Sequence, residues 1–389
     1  MAELYLLDPA VAPAWAPFQA SRPVAELRAG AWLIRERWEA IADVAATAVF
    51  APPHLHAFVE DGAPPVRGVE TVRGPAMVGR SNFAPAGVPP DLPGEPATLR
   101  NEDEVAGWWV PAGAEWTGEA AAGPPIELEG MWLHGAFDLV TALEHLLVGD
   151  VADFLREGGD PLPPGSIVLG EPHEVVLLGA GVEPGVVFDT RSGAIVVEQH
   201  AYVRSGTRLQ GPVYVGPGSE IVGGSVAGCA VGPRCKVQGE VSTTVFFGYA
   251  NKAHDGFVGH SVVGRWANFG AGTTTSNLKN TYGPVRLDVA GTRIETGRQL
   301  LGTLMGDHAK TAIGTLLPTG AVVGAGANVF GAANAPKETT PFAWGTTGER
   351  VSLDGFLTTA RRVMPRRSVE VTDAVAAALT AAYRYGTGS

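Results

Sequence analysis

The polar residues best suited to chemistry are concentrated in one stretch of an otherwise apolar, glycine-rich region. They are Asn251, Lys252, His254, Asp255, His260, Asn268, Ser276, Asn277, Lys279 and Asn280. Because polar side chains are costly to bury in an apolar core, we expect them to point outward and to gather on one surface. A histidine there is suited to general-base chemistry near neutral pH, since the ordinary pKa of imidazole is about 6.5. The sequence therefore predicts a reaction site in this segment.

The elements that position these residues are indicated by a six-residue rhythm. Aliphatic residues recur at Val197, Val203, Leu209, Val215 and Ile221, and small residues follow four places later at Ala201, Thr207, Val213, Ser219 and Ser225. A helix repeats its apolar face every 3.6 residues and a half-buried strand every 2, whereas this period is typical of a parallel β-helix. The rhythm slips after Ile221, returns later, and is expected to end near residue 335. A glycine-rich sandwich is the alternative that this spacing disfavours.

Composition limits the class of protein. The chain has 389 residues, 45% of them hydrophobic, and a net charge of −12, which argues against a groove that neutralises nucleic-acid phosphates. Its two cysteines, Cys229 and Cys235, make a disulfide framework improbable and are expected to be small core or turn residues. Neither a signal peptide nor an apolar stretch of about 20 residues is evident. We expect a cytoplasmic protein with no nucleic-acid or membrane partner.

Three domains are predicted. Residues 1–164 indicate an α/β domain, with a strand at 3–8 and a helix at 23–41, and the prolines at 161–164 mark its end. Residues 165–338 form the β-helix, and residues 279–312 are expected to leave it as a loop or antiparallel excursion. Residues 339–389 form a helical cap, in which one helix starts near Thr372 and Asp373.

Several of these segments resemble a known family. Residues 251–254, 257–259, 268–273 and 276–280 are similar to the acetyltransferase half of the bifunctional N-acetylglucosamine-1-phosphate uridyltransferase/glucosamine-1-phosphate acetyltransferase. Together with residues 21–28 and 304–308, they resemble a bacterial branch of sugar nucleotidyltransferases with a hexapeptide-repeat acyltransferase domain. The resemblance implies a degenerate nucleotidyltransferase-like domain, a left-handed β-helix and a homotrimer with sites between subunits.

The resemblance also implies roles for individual residues in an N-acetyltransferase that uses acetyl-CoA. His254 matches the general base, and the acceptor contacts fall on Asn268, Lys252 and Phe257. Contacts with acetyl-CoA fall on Ala271, Asn277 and Leu278, and the glycines beside Ala271 allow a pantetheine chain to approach the backbone. Asn277 is equally suited to a structural role in a turn.

The chain departs from the family in its acceptor site. Phe257 and Leu278 each replace a tyrosine, and Thr243 and Thr244 stand where the family places paired lysines for the sugar phosphate. The nearest basic residues are Lys252, Arg234 and Lys236. The acceptor is therefore expected to be an amino-sugar phosphate or a nucleotide-linked amino sugar, not necessarily glucosamine 1-phosphate.

The N-terminal domain departs further. Its first loop, residues 9–20, has no glycine to admit a triphosphate, and Val24 stands where the family has a catalytic lysine. Arg22, Glu26 and Arg28 form a weak candidate nucleotidyl site, and a buried ion pair explains them equally well. If the domain is active it needs Mg²⁺, for which Asp103 is a weak candidate ligand. We expect altered or lost nucleotidyl transfer.

Three other functions stay open. In the first, the chain is a sugar-1-phosphate nucleotidyltransferase whose β-helix serves trimerisation or regulation. In the second, it is a zinc hydro-lyase of the γ-carbonic anhydrase type that uses His200, His254, His260 and His308, although no clear ligand spacing supports this. In the third, it is a catalytically silent scaffold.

Overall fold

The computed structural model describes residues 2–118, 123, 125–156 and 158–389. Two β-rich bodies follow one another along the chain, and a C-terminal helical segment packs against both. In the described part of the chain, no helix combines the length and apolar character needed to cross a membrane.

The N-terminal body is a β-sheet with two helices, α1 (Ile34–Ala42) and α2 (Asp138–Leu155). Its strands are β1 (Glu3–Leu7), β2 (Arg28–Ala29), β3 (Trp32–Leu33), β4 (Ala46–Phe50), β5 (Val66–Arg67), β6 (Val72–Arg73), β7 (Ala76–Arg80), β8 (Phe83–Pro85), β9 (Ala97–Asn101), β10 (Glu104–Val110), β11 (Glu115–Trp116), β12 (Pro125–Glu127) and β13 (Gly130–Trp132). The main sheet has the order β12-β9-β10-β7-β1-β4-β5, in which β1 pairs in parallel with β4 and β7. Parallel neighbours need a crossover, and α1 lies in the one between β1 and β4. The predicted α/β architecture is confirmed.

The predicted helix over residues 23–41 is wrong in its first half. A single 3-10 turn at Val24–Glu26 is followed by the antiparallel hairpin of β2 and β3, and only Ile34–Ala42 is α-helical. Gly30, in the turn between these strands, has φ of 70°, a left-handed conformation that a continuous helix excludes.

The second body is a parallel β-solenoid. Its strands are β14 (Ile167–Leu169), β15 (Val175–Leu177), β16 (Gly181–Val182), β17 (Val187–Asp189), β18 (Ile195–Val197), β19 (Tyr202–Val203), β20 (Thr207–Gln210), β21 (Val213–Val215), β22 (Glu220–Ala227), β23 (Ala230–Val231), β24 (Lys236–Ser242), β25 (Val245–Phe246), β26 (Asn251–Lys252), β27 (Phe257–Gly259), β28 (Val262–Val263), β29 (Thr274–Thr275), β30 (Arg286–Val289), β31 (Thr292–Glu295), β32 (Thr303–Met305), β33 (Lys310–Thr311), β34 (Leu316–Leu317), β35 (Ala321–Val323), β36 (Asn328–Val329), β37 (Glu338–Thr339), β38 (Ala343–Trp344) and β39 (Glu349–Arg350). The predicted parallel β-helix is confirmed; its left-handed winding stays a prediction.

The solenoid has three faces. The docked face is the nine-stranded parallel sheet β15-β18-β21-β23-β25-β28-β32-β35-β37. Strands β22 and β24 bend around a corner and pair on both sides of it, which joins the other two faces into one sheet. We call the face with β26, Asn268 and β33 the amide face, and the face with β20, β27, β29 and β34 the open face.

The six-residue rhythm places its aliphatic residues in the interior. Val203, Leu209, Val215 and Ile221 are fully buried in one core. Ser225, predicted to be the next small residue of the rhythm, is half-buried, and Val226 takes the interior position. A register shift between Ile221 and Gly223 explains the difference, because one extra residue reverses which side chains point inward.

The N-terminal body packs directly on the docked face. Outward side chains of that face, such as Tyr214 and Phe247, belong to the same apolar core as Trp32 and Phe18. The rings of Phe18 and Phe247 lie 4.8 Å apart, and those of Trp32 and Tyr214 lie 6.2 Å apart. The docked face is therefore covered by the N-terminal body.

The predicted excursion and tail helix are both present. Strands β30 and β31 form an antiparallel hairpin outside the coil, and the solenoid resumes at β32, earlier than expected. It then continues past residue 335 to β37 and β38. The tail adds α3 (Leu353–Val363) and α4 (Asp373–Thr387), and the Thr372 hydroxyl caps α4 by accepting from the Val375 amide.

The tail follows the flank of the solenoid as well as its last coil. Met364 and Ala360 pack against Trp266 beside the amide face, and the ring of Tyr385 stacks at 3.7 Å on His54 of the N-terminal body.

Candidate functional site

His254 lies at the corner between the amide face and the open face. It follows β26 by two residues, and its side chain is exposed. The preceding Lys252 points into the prism, where it is 1% exposed and its ammonium donates to the carbonyls of Gln238 and His254. Burial lowers the pKa of Lys252 to about 8. Lys252 therefore holds the main chain of the corner from inside, while the imidazole stands outside.

On the open-face side of His254 lies a shallow groove whose lining includes three glycines. Gly224, Gly239 and Gly256 stack on successive coils, all with positive φ, and a Cβ on Gly239 or Gly256 would come within 2.7 Å or 2.2 Å of a carbonyl oxygen on the next coil. Side chains are thus excluded from this strip. Ser225, Glu240, Asp255 and Phe257 complete its lining. An extended ligand is able to approach the backbone here.

Of the predicted residues, Ala271 lies next to this corner, whereas Phe257 and Asn277 lie farther along the open face. The turn with Ala271 lies on the neighbouring coil, where the Gly272 amide donates to the Asp255 carbonyl at 3.1 Å. Farther along the open face, the Phe257 ring and the Asn277 amide both lie over Gly259, where the absence of a side chain makes space for them.

Asn277 and Leu278 stand at the far end of that rung. The Asn277 amide lies 2.8 Å from Nδ1 of His260, so it has a partner within the fold, and Leu278 accepts the hydroxyls of Ser276 and Thr319 through its carbonyl. Both side chains are half-buried.

Asn268 lies around the other side of the corner, on the amide face. Its Oδ1 accepts from Nδ2 of Asn251 at 2.8 Å, so the two amides form a ladder across adjacent coils. Both line a cavity of about 310 Å³. The remaining walls are Tyr249, Trp266, Ala267 and Lys310 from the solenoid and Val363, Arg366 and Arg367 from the tail.

This cavity is basic. Lys310, Arg366 and Arg367 line it, none of its described lining residues is acidic, and none of the three cations forms an ion pair with a described carboxylate. Burial alone lowers the pKa of Lys310 to about 8, and the Nε of Arg367 is buried without a hydrogen-bond partner. Asn251, which lines the cavity, begins strand β26 and precedes His254 by three residues in the chain.

The basic residues named from the sequence are engaged elsewhere. Lys252 faces the interior, Lys236 pairs with Glu220 at 2.6 Å, and Arg234 donates to the Arg367 carbonyl at 3.3 Å. Sequence reasoning missed Lys310, Arg366 and Arg367. The one available signal was the group of four arginines within residues 361–367. The sequence does not indicate which surface of the solenoid these arginines contact.

The candidate nucleotidyl residues are buried and paired. Arg22 binds Asp307 at 2.7 Å and Glu60 at 2.9 Å, which ties the N-terminal body to the solenoid. Glu26 pairs with Arg35 at 2.7 Å. Arg28 donates to the Ala31 carbonyl within its hairpin.

Two main-chain amides beside the end of β1 are also occupied. The half-buried carboxylate of Asp8 accepts from the amides of Val24 at 2.7 Å and Ala25 at 3.2 Å, and desolvation raises its pKa to about 6. A phosphate at this loop would have to displace that carboxylate. This arrangement does not fit the cradle that a triphosphate needs.

The described residues do not fit a metal ion either. Asp103 is exposed in a turn, and no three described His, Cys, Asp or Glu side chains are grouped to hold a metal within the chain. The four histidines of the zinc hypothesis lie at separate places: His200 and His254 are exposed, His260 contacts Asn277, and His308 is buried against Trp266.

Comparison with known proteins gives the class of the first domain. Residues 4–154 match the family model described as sugar nucleotidyl transferase. The nucleotidyltransferase-like fold expected for the N-terminal domain is confirmed by this match and by the sheet described above.

The chain is also similar to curated bifunctional proteins. It is 35% identical over 150 residues to the bifunctional sugar-1-phosphate nucleotidylyltransferase/acetyltransferase of Sulfurisphaera tokodaii, covering 36% of this chain and 35% of that protein. It is 32% identical over 124 residues to the bifunctional protein GlmU of Methanococcus vannielii, covering 32% of this chain and 25% of that protein. The matched segment thus spans about a third or less of these relatives. The resemblance to bifunctional nucleotidyltransferase/acetyltransferase proteins, predicted from the sequence, is confirmed.

Proposed function

We propose that the chain is an acetyl-CoA-dependent N-acetyltransferase that acts on an amino-sugar phosphate or a nucleotide-linked amino sugar. The observation that carries the proposal is the position of His254. Its exposed imidazole stands at a corner with the amide-lined cavity of Asn268 on one side and the glycine groove on the other. The name of the Sulfurisphaera relative, which includes acetyltransferase, supports the same class of reaction.

The proposed step needs one base and two binding surfaces. The acceptor amine attacks the carbonyl carbon of the thioester, a C–N bond forms, and the C–S bond breaks. His254 removes the proton from the attacking nitrogen and returns it to the departing thiolate, so that coenzyme A leaves as the thiol. An acceptor held in the Asn268 cavity and a thioester held in the groove would meet at this imidazole.

The glycine groove suits the pantetheine part of acetyl-CoA. A narrow chain of amide groups is able to pair with exposed backbone only where no Cβ intervenes, as over Gly239 and Gly256. Ala271 lies on the adjoining turn, while Phe257 and Asn277 extend the same surface. The homotrimer implied by the sequence resemblance is part of the proposal, because a second subunit would close the open face.

Sugar-1-phosphate nucleotidyl transfer is the second candidate. The match of residues 4–154 to sugar nucleotidyl transferases favours it. The occupied Val24 and Ala25 amides and the paired Arg22 count against it, because these donors are already engaged within the fold. Release of pyrophosphate from nucleoside triphosphates and sugar 1-phosphates would establish this activity.

Acetyl transfer is tested by measuring release of coenzyme A across a panel of amino sugars, free, phosphorylated and nucleotide-linked. We expect turnover with at least one acceptor and a loss of about 10²- to 10⁴-fold in His254→Gln. His173→Gln is the matched control, since His173 is also exposed but lies in the early coils. Turnover that is unchanged in His254→Gln, or absent with every acceptor, would refute the proposal.

A further inference from the structure

We propose that the basic cavity on the amide face is a phosphate-binding site, in which Lys310 from the solenoid and Arg366 and Arg367 from the tail bind a sugar phosphate. The three cations converge on one cavity of about 310 Å³ without an acidic residue in its described lining. The identity of the ligand as the acyl acceptor rests on the proposed function; the anion site itself does not.

No described carboxylate forms an ion pair with the three cations of this cavity, in a chain with a net charge of −12. Glu220 lines a neighbouring pocket with Arg366 and Arg367, but it pairs with Lys236 at 2.6 Å. A buried cation is normally paired, because desolvation disfavours its charged form. Lys310 is half-buried, and among the described residues its ammonium donates to the His308 carbonyl at 2.8 Å and pairs with no carboxylate, which leaves its charge unbalanced. The buried Nε of Arg367 has no acceptor at all. An anion in the cavity would supply both the missing charge and the missing acceptor.

The other walls suit a sugar. Asn251 and Asn268 present side-chain amides, which both donate and accept, and the stacked rings of Tyr249 and Trp266 lie 4.4 Å apart as an apolar wall. Sugar hydroxyls and the ring face of a hexose match these two kinds of surface. A free inorganic phosphate would use the cations alone.

The cavity lies within reach of the proposed base. Asn251 and His254 are three residues apart on one coil, and three extended residues span at most about 10 Å. A hexosamine phosphate anchored by its phosphate at the cations would direct its amine along the amide face toward His254. Lys310 of the solenoid and the two arginines of the tail thereby replace the paired lysines that the chain lacks at Thr243 and Thr244.

The proposal makes the tail part of the site. Arg366 and Arg367 lie in the turn Met364–Arg367, which is held down because Met364 packs against Trp266. Arg361 and Arg362, on the same segment, are exposed at the end of α3 and do not line the cavity. Replacing Arg361 and Arg362 with glutamine removes two positive charges, as in the cavity variant, and therefore serves as its control.

The test is isothermal titration calorimetry on the full chain with N-acetylglucosamine 1-phosphate, N-acetylglucosamine and inorganic phosphate as probes. We expect the phosphorylated sugar to bind more tightly than the other two. Arg366→Gln/Arg367→Gln and Lys310→Met should each weaken its binding at least about tenfold. Arg361→Gln/Arg362→Gln should bind like the wild type, and the melting temperatures of all variants should be recorded to exclude unfolding.

Equal affinity in the cavity variants and in the control, or no binding of phosphate compounds by the wild type, would overturn the proposal. The two proposals fail separately. Phosphate binding without release of coenzyme A would remove acetyl transfer and support the anion site. Coenzyme A release with unphosphorylated amino sugars, together with no phosphate binding, would keep acetyl transfer and refute the anion site.

Discussion

Two clusters of charged side chains lie on either side of Trp266, and they differ in how their charges are balanced. In the first, Arg22, Glu60, Arg265 and Asp307 pair with one another across the boundary between the N-terminal body and the solenoid. In the second, Lys310, Arg366 and Arg367 face a cavity without a described acid. The first cluster is complete within the chain and fastens two bodies together. The second is incomplete and is therefore the one expected to take a ligand.

Cavity size alone would point to the wrong cluster. The paired charges border a cavity of about 400 Å³ that is larger than the basic one, and much of its wall is apolar, including Phe58, Met364 and Leu379. Because its main charges are already neutralised by each other, an anion gains little there. Charge balance, and not volume, distinguishes the two regions.

The largest effect is expected from a substitution that breaks the paired cluster. Arg22→Met leaves Asp307 and Glu60 buried with less compensation, so we expect the free energy of unfolding to fall by about 3–5 kcal/mol. The midpoint of urea unfolding measures the loss. Arg73→Met is the control, because Arg73 and Glu115 form an exposed pair whose removal should cost at most about 1 kcal/mol. Similar losses of unfolding free energy in the two variants would show that the paired cluster stabilises the fold no more than an exposed ion pair does.

The second prediction concerns the pH dependence of the unpaired cluster. Lys310 has a pKa of about 8, so raising the pH from neutral through that value removes its charge. We expect the affinity for N-acetylglucosamine 1-phosphate to fall about tenfold, the value of one charged hydrogen bond, between about pH 7 and pH 9. Lys310→Met should bind weakly and without this decrease, as measured by titration at each pH. A decrease of the same size in the variant would show that another group titrates.

The third prediction concerns His308, which lies between the two clusters. Burial holds its pKa well below the ordinary 6.5, so below that pH the unfolded chain binds a proton that the folded chain does not. Stability should therefore fall with decreasing pH, by at most about 1.4 kcal/mol per pH unit from this residue. His308→Asn keeps a residue that tolerates the φ of 59° and should lack this contribution. Urea unfolding from pH 7 to pH 5 gives both slopes, and parallel slopes would contradict the assignment.

The smallest effect tests the attachment of the tail. Tyr385→Ala removes the stack on His54 and should cost about 0.5–1.5 kcal/mol of local stability, whereas Tyr385→Phe keeps the ring and should cost little. Limited proteolysis of the tail measures this opening. If both variants are cleaved at the wild-type rate, the stack does not hold the tail.

Local pattern predicted much of the architecture. The interior positions Val203, Leu209 and Val215 follow from spacing alone, because each hexad places one side chain inside the prism whatever surrounds it. The tail helix after Thr372 follows from its cap in the same way. The hairpin at Arg28–Leu33 was missed because its apolar spacing also suits a helix, and only packing against α2 and the docked face decides between them.

The residues of the candidate site also divide into those that local pattern predicts and those that only packing positions. The hexad spacing alone predicts the coil and the outward position of His254 and Asn268, because each belongs to a repeating segment in which spacing fixes position. Only the tertiary structure turned Lys252 inward and brought Arg366 and Arg367 onto the coil of Asn268, from about a hundred residues away in the chain. Contacts between distant segments depend on how whole surfaces pack, and the period of six residues carries no information about them.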